Sequence, residues 1–290
     1  MIYLVGSIVL TSWLTLSFKV VERIGVDRFQ AIVFNYIFSV ITGCFVNGHI
    51  PAYVHNLKLD WFAWACLMGT IFISLFNIIA FAAQRVGVAV TSVANKLSLV
   101  IPFIFSLYLY NEEATWLKCI GIGLALLAVV FTCLPSRQGQ RQNIGRLMYI
   151  LPVLLFAGSG LLDTMIKYVE HNFLTAANVN DYIITAFTMS AVLGVVVLLV
   201  QLLIGKQVFN WKAVLAGALI GIPNYFSIWC LMEVLKQYAQ NSSAIIPINN
   251  MGIVLFSAVV AWLVFKEKLS FINWIGIFLS LGAIALIAYG

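Results

Sequence analysis

A lysine stands where lysines are rare. Lys96 lies eight residues into the apolar run 88–110, far from either end. A charge at that depth costs on the order of 3 kcal/mol on insertion scales unless it finds water, a partner or a helix-bundle interior. Three arrangements meet that demand. The stem can snorkel to the nearer face; the ammonium can face a cavity and attract a carboxylate, a phosphate or a moving counter-charge; or it can sit in a structural ion pair. Asp163, in the run 146–168, is the obvious partner, although it also precedes Lys167 by four residues, the spacing of a helix-end pair. Lys19 with Glu22, and Glu233 with Lys236, stand three apart and read as helix-end pairs.

Carboxamides accompany these charges. Asn35, Asn77, Asn95, Asn224, Asn249 and Asn250 all fall inside apolar runs. One interhelical amide contributes only about 0.6 to 2 kcal/mol in a membrane and usually serves as glue. As a group they are expected to line a cavity. Pro223-Asn224-Tyr225-Phe226-Ser227-Ile228-Trp229 places a proline, which cannot donate to the helix ladder, beside an amide and aromatics. The candidate binding set is therefore Lys96, Asn95, Asn77, Asp163, Asn224, Trp229, Asn249 and Asn250. Catalytic chemistry has little to build on. His49, His55 and His171 form no HExxH motif, and the five cysteines, all within apolar runs, make no CxxC pair. Neither a metal centre, a cofactor nor an enzyme is expected. The net charge of +6 includes no Lys/Arg run, so nucleic acid is not an expected partner.

The elements that position these residues follow from composition. Hydrophobic residues make up 63% and charged residues 9% of 290 positions, with a mean hydropathy of +1.04. Soluble domains carry roughly 25% charge, so lipid is the expected solvent. Apolar runs bounded by charge, Gly, Pro or Asn place ten spans at 2–21, 29–47, 61–84, 88–110, 114–134, 146–168, 178–204, 211–235, 241–265 and 270–289. Each holds roughly the 20 residues a helix needs to cross the hydrocarbon. The runs lack the alternation of barrel strands, which leaves an all-α integral membrane protein. The stretch 2–16 has no basic residue before it and no small-residue cleavage site after it, so it reads as a retained first span.

The chain repeats itself. Phe18-Lys19-Val20-Val21-Glu22 recurs as Ile166-Lys167-Tyr168-Val169-Glu170, a shift of 148 positions. Asn95, Glu112 and Gly121 map onto Asn250, Glu267 and Gly276 at a shift of 155, and Tyr110-Asn111-Glu112 matches Phe265-Lys266-Glu267 in context. The expectation is two five-helix repeats, 1–134 and 146–290, joined by the polar connection 135–145. An odd number of spans inserts the second repeat upside down, the architecture on which alternating access rests. Of the sixteen Lys/Arg, eleven fall on the face of the odd-numbered connections and four, Lys58, Lys118, Lys167 and Lys236, on the face with both termini. The positive-inside rule then puts the termini outside, periplasmic in a bacterial inner membrane. Gly121-x-x-x-Ala125 and Gly276-x-x-x-Ser280 are seams for close helix contact.

Two five-helix repeats, each with a small-residue-rich last helix behind a short loop bearing Glu112 or Glu267, and Pro102 ten residues before the first of these, resemble the EamA branch of the drug/metabolite transporter superfamily. Ser257 stands where a second proline would map, with Pro247 displaced toward the start of its helix. The resemblance implies a secondary transporter or exporter and names no cargo. Lys96 with several amides favours an amino-acid-like anion or zwitterion; sugars or organic cations carried on the same fold, and a non-transporting membrane subunit, are the alternatives. The expected partners are the small-molecule substrate, the lipid bilayer, and a proton or other coupling ion.

Overall fold

The computed structural model describes residues 2–48, 50–51, 59–109, 115–133, 147–175, 178–237 and 242–289. Among these the chain forms eleven α-helices and no strand. They are α1 (Ile2–Arg23), α2 (Arg28–Asn47), α3 (Phe62–Arg85), α4 (Val88–Leu97), α5 (Val100–Leu109), α6 (Trp116–Cys133), α7 (Leu147–Phe173), α8 (Val179–Leu203), α9 (Trp211–Gln237), α10 (Ser242–Leu263) and α11 (Phe271–Tyr289). Five stretches, α1, α2, α3, α8 and Trp211–Leu231 of α9, are long and apolar enough to cross a membrane. The connection 135–145, Arg146, Glu112, His49, His55 and Lys58 lie outside the described residues, as do the side chains of Lys167, His171 and Lys236.

The fourth apolar run is not one helix, as its composition suggests, but two. The break falls at Ser98 and Leu99, between α4 and α5. Pro102 explains the position: it has no N–H to give the Ser98 carbonyl, and its ring crowds that carbonyl. The Ser98 carbonyl accepts instead from the Ile101 amide at 2.9 Å, and Pro102 sits in the first turn of α5, where proline is tolerated. Pro223 behaves otherwise, because α9 runs through it unbroken. The carbonyl it leaves without a ladder partner, that of Leu219, accepts from the Trp13 indole N–H of α1 at 2.9 Å. A neighbouring helix thus satisfies what the proline removed.

Small residues bring the helices together. At Gly217 and Gly221 of α9 an added Cβ would collide with Phe34 and Asn35 of α2, so these two helices meet almost backbone to backbone. Gly121 of α6 lies against Ala283 and Ile287 of α11, and Gly276 of α11 against Ala128 and Thr132 of α6, as the seam expectation required. The Asn273 amide nitrogen donates to the Phe131 and Thr132 carbonyls (3.2 and 2.9 Å), satisfying the end of α6, while its oxygen accepts from the Ser270 amide at the start of α11. Two large apolar clusters and two small ones result. The larger joins α1, α2, α3, α8 and α9 around Phe18, Tyr36 and Phe187, and the second joins α4, α6, α10 and α11 around Leu97, Val254 and Ile284.

One end of the bundle gathers the connections 24–27, 86–87, 204–210 and 264–270. Lys19 Nζ donates to the Gln84 carbonyl (2.9 Å), Gln30 donates to the Val208 carbonyl (2.9 Å), and Arg23 donates to the Phe265 carbonyl (3.4 Å). It is the basic end of the bundle, with Lys19, Arg23, Arg28, Arg85, Lys206, Lys212, Lys266 and Lys268 at or near it.

Candidate functional site

The break between α4 and α5 positions the central charges. Lys96 occupies the last turn of α4, just before Ser98. Ser98 Oγ turns back to its own chain, donating to the Asn95 carbonyl, and lies 3.4 Å from Asp163 Oδ2 of α7. Lys96 lies within Coulombic range of the same carboxylate, with no contact ion pair closing the two among the described residues.

Asp163 belongs to the inward face of α7. Leu155 and Ser159 on that face are buried, whereas Leu154 and Leu161 on the opposite face are 47% and 57% exposed. Asp163 nonetheless keeps exposed surface while lying deep among the atoms of the bundle. The contact with Ser98 turns the carboxyl toward α4. Lys96 and Asn95 are likewise only partly buried. One turn away on the same faces, the hydroxyls of Ser92 (α4) and Ser159 (α7) are buried with no hydrogen-bond partner among the described residues. Charge, counter-charge and unsatisfied hydroxyls therefore converge from two helices, one in each half of the sequence.

The remaining candidates are dispersed. Asn224 is buried in the α2–α9 seam, where its amide nitrogen donates to Asn35 Oδ1 (3.2 Å) and approaches Ser39 Oγ (3.5 Å). Trp229 makes an edge contact with Tyr3 of α1, with ring centroids 5.6 Å apart. Asn249 is buried on α10 with its Oδ1 unpartnered among the described residues, and Asn250 is partly exposed beside it. The register of α10 along α1 is set by Ile8 against Gly252 and by Ser12 Oγ donating to the Ile253 carbonyl, which brings Asn249 near the level of Ser7, another buried hydroxyl without a partner among the described residues.

Asn77 faces a different opening. It lines a cavity of about 530 Å³ at the basic end together with Glu22, Asp27, Arg28, Gln84, Gln201 and Gln207. Asp27 is committed to capping α2 through the Gln30 amide, and Glu22 pairs with Lys19 at 3.7 Å, as their spacing suggested. The Arg28 guanidinium donates to Gln84 Oε1 (3.3 Å) and stacks on Phe81, while its Nε and Gln201 Oε1 are buried without partners among the described residues. From sequence Arg28 counts only as one of the eleven basic residues that set the topology, and the glutamines carry no expected role. The available clue was four glutamines, Gln30, Gln84, Gln201 and Gln207, at or just beyond apolar-run ends on one face.

At the same end, the Glu267 carboxylate accepts from the Val88 amide (2.8 and 3.1 Å) and the Ala89 amide (3.4 Å), the first donors of α4. Burial pushes this carboxyl above its ordinary value of 4.5, against the opposing pull of those amides and of Lys19.

Comparison with known proteins agrees with this architecture. The family model described as the EamA-like transporter family matches residues 144–289. An uncharacterized protein of Haemophilus influenzae is 26% identical over 278 residues, covering 93% of this chain and 92% of that protein. A crystal structure of a protein superposes with a TM-score of 0.62 at 15% identity, covering 99% of this chain and 98% of that one, a likeness of fold. Helices of this length and apolarity, in this fold, and a family match over half the chain lead to one assignment: the protein is a multi-pass membrane protein belonging to the EamA-like transporter family, part of the drug/metabolite transporter superfamily.

Proposed function

We propose that the protein is a secondary transporter that moves a small zwitterionic or anionic metabolite across the inner membrane by alternating access. Two inverted five-helix halves, 1–134 and 146–290, rock about the centre, and both termini face the periplasm. A proton or another ion is the coupling partner. The observation that carries the reading is the placement of Lys96 and Asp163 on packed helices from different halves, bridged by Ser98 and both retaining accessible surface. A structural ion pair would be closed and dry, whereas a pair held open can exchange partners with a charged cargo. A zwitterion offers a carboxylate to Lys96 and an ammonium to Asp163. The amide-rich cavity beside Arg28 lines the approach a cargo takes once the basic end opens.

The test is a thermal-shift screen of metabolites on the purified protein, because a cargo that binds the folded state raises its melting temperature by mass action. Flux of the hit is then measured in proteoliposomes. Lys96→Met should weaken binding by about 2 kcal/mol, roughly thirtyfold, the scale of one charge-assisted hydrogen bond. Equal affinity and flux in parent and variant would remove Lys96 from the site. An organic cation is the second reading, favoured by the accessible Asp163 carboxyl. In that case Asp163→Asn abolishes binding while Lys96→Met improves it. A reporter fused after Gly290 that works only in the cytoplasm would overturn the orientation.

A further inference from the structure

We propose that Glu267 is a positioning residue of the transport cycle: its carboxylate latches the start of α4 and holds the basic end shut, and release of that latch frees α4 to move. The contact joins groups 179 positions apart, from the connection after α10 to the first turn of α4. Both partners are shaped for it. Gly87, immediately before α4, has φ +112°, and a Cβ there would stand 3.0 Å from Glu267 Oε2. A side chain at residue 87 would be strained by its backbone and would crowd the carboxylate as well. On the other side, Lys266 adopts φ 53°, an uncommon left-handed conformation for a lysine, and the Glu267 amide bonds back to the Ala261 carbonyl at 3.1 Å. The connection is thereby turned so that the carboxylate points at the helix start.

The latch is tied to its surroundings by charge. Lys19 of α1 acts on the Glu267 carboxylate and donates to the Gln84 carbonyl at the end of α3. Arg23 of α1 donates to the Phe265 carbonyl and lies 4.7 Å from the centre of the Phe265 ring. One anion in the second half thus meets the end of α1 and the beginning of α4 in the first half.

Its consequence reaches the central site through α4 itself. This helix is ten residues long, about 15 Å, with Glu267 at its start and Lys96 in its last turn. The break at Ser98 and Leu99 uncouples it from α5, so α4 can tilt as a short rod about that break. Capping by a carboxylate stabilises a helix start through its free N–H groups and its dipole. Losing the cap therefore loosens the end of the rod that closes the basic face. The same glutamate recurs in the first half as Glu112, within the motif shared by the two repeats.

The test reads accessibility and needs no cargo, so its failure is distinct from failure of the transporter reading on which the proposal's meaning rests. In a background with the native cysteines replaced, Ala89→Cys reports on the first turn of α4 and Ala128→Cys on the distant α6–α11 seam; both alanines are fully buried. Labelling by a charged, membrane-impermeant maleimide is timed with Glu267 intact, as Gln and as Ala. Glu267→Ala should speed labelling of the Ala89→Cys probe about tenfold or more. Glu267→Gln, which keeps an acceptor oxygen, should fall between, and the Ala128→Cys probe should not change. Unchanged labelling at position 89 overturns the latch. A rise at both positions means general loosening and overturns it equally, leaving Glu267 a structural cap.

Discussion

Whether Lys96 and Asp163 sense one another is decided by a double-mutant cycle. Lys96→Met keeps the apolar stem and removes the charge, and Asp163→Asn keeps the shape and removes the counter-charge. Each single change also has private effects. Lys96 stands in the last turn of α4, where a cation gains about 0.3 to 1 kcal/mol from the helix dipole, and each charge is partly relieved of its burial cost when neutralised. Those contributions cancel in the cycle, leaving the mutual coupling. Exposed pairs couple by about 0.2 to 1 kcal/mol. Asp163 lies deep yet keeps accessible surface, which places this pair near the top of that range, at about 1 kcal/mol. The double variant should therefore be about 1 kcal/mol more stable than the sum of the single losses predicts, or about 2 °C in melting temperature for a chain of this size. Unfolding in mixed detergent micelles, followed by tryptophan fluorescence, measures all four proteins. A coupling under about 0.3 kcal/mol is what independent sites show, and it would refute both the pairing and the cargo argument built on it.

Other expectations are read from the same molecule. Trp13→Phe strands the Leu219 carbonyl and should cost about 1 kcal/mol more in the parent than with Pro223→Ala, where a restored amide can satisfy that carbonyl; equal costs in both backgrounds would show that the indole bond is not a substitute for the missing ladder bond. Gly221→Ala drives a methyl into the Asn35 backbone and should lower stability by more than about 3 kcal/mol, whereas Gly123→Ala meets open space and should stabilise α6 by up to about 1 kcal/mol; thermal unfolding of the two variants checks the contrast. Because burial raises the Glu267 carboxyl above 4.5, the folded state holds its proton more tightly than the unfolded chain does. That contribution is fully present below 4.5 and is lost as pH rises through the raised value. The melting temperature of the parent relative to Glu267→Gln should accordingly fall as pH rises through and above 4.5, and a difference that stays flat or grows would contradict the burial argument.

Much of this protein was legible without coordinates, and the reason is its solvent. Lipid demands long apolar helices with their backbone bonds made internally, so uncharged runs between charged boundaries mark where helices lie. Nine of the ten expected runs match single helices within about five residues, and the tenth, 88–110, is split into α4 and α5. The family likeness was also legible, because the short loop bearing Glu267 ahead of a small-residue-rich last helix can be read as a string. Tertiary structure decided what a string cannot carry. Pro102 and Pro223 look alike in sequence, yet one ends a helix and the other does not; the difference lies in the Trp13 indole, which arrives from α1 to take the carbonyl that Pro223 frees. Asn77, Asn95 and Asn224 share depth and chemistry, and only packing sends the first to the cavity at the basic end, the second to the break beside Lys96, and the third into the α2–α9 seam. Helical periodicity shows which residues share a face, but which neighbour that face meets depends on contacts between residues far apart in the chain, as between Glu267 and the first amides of α4.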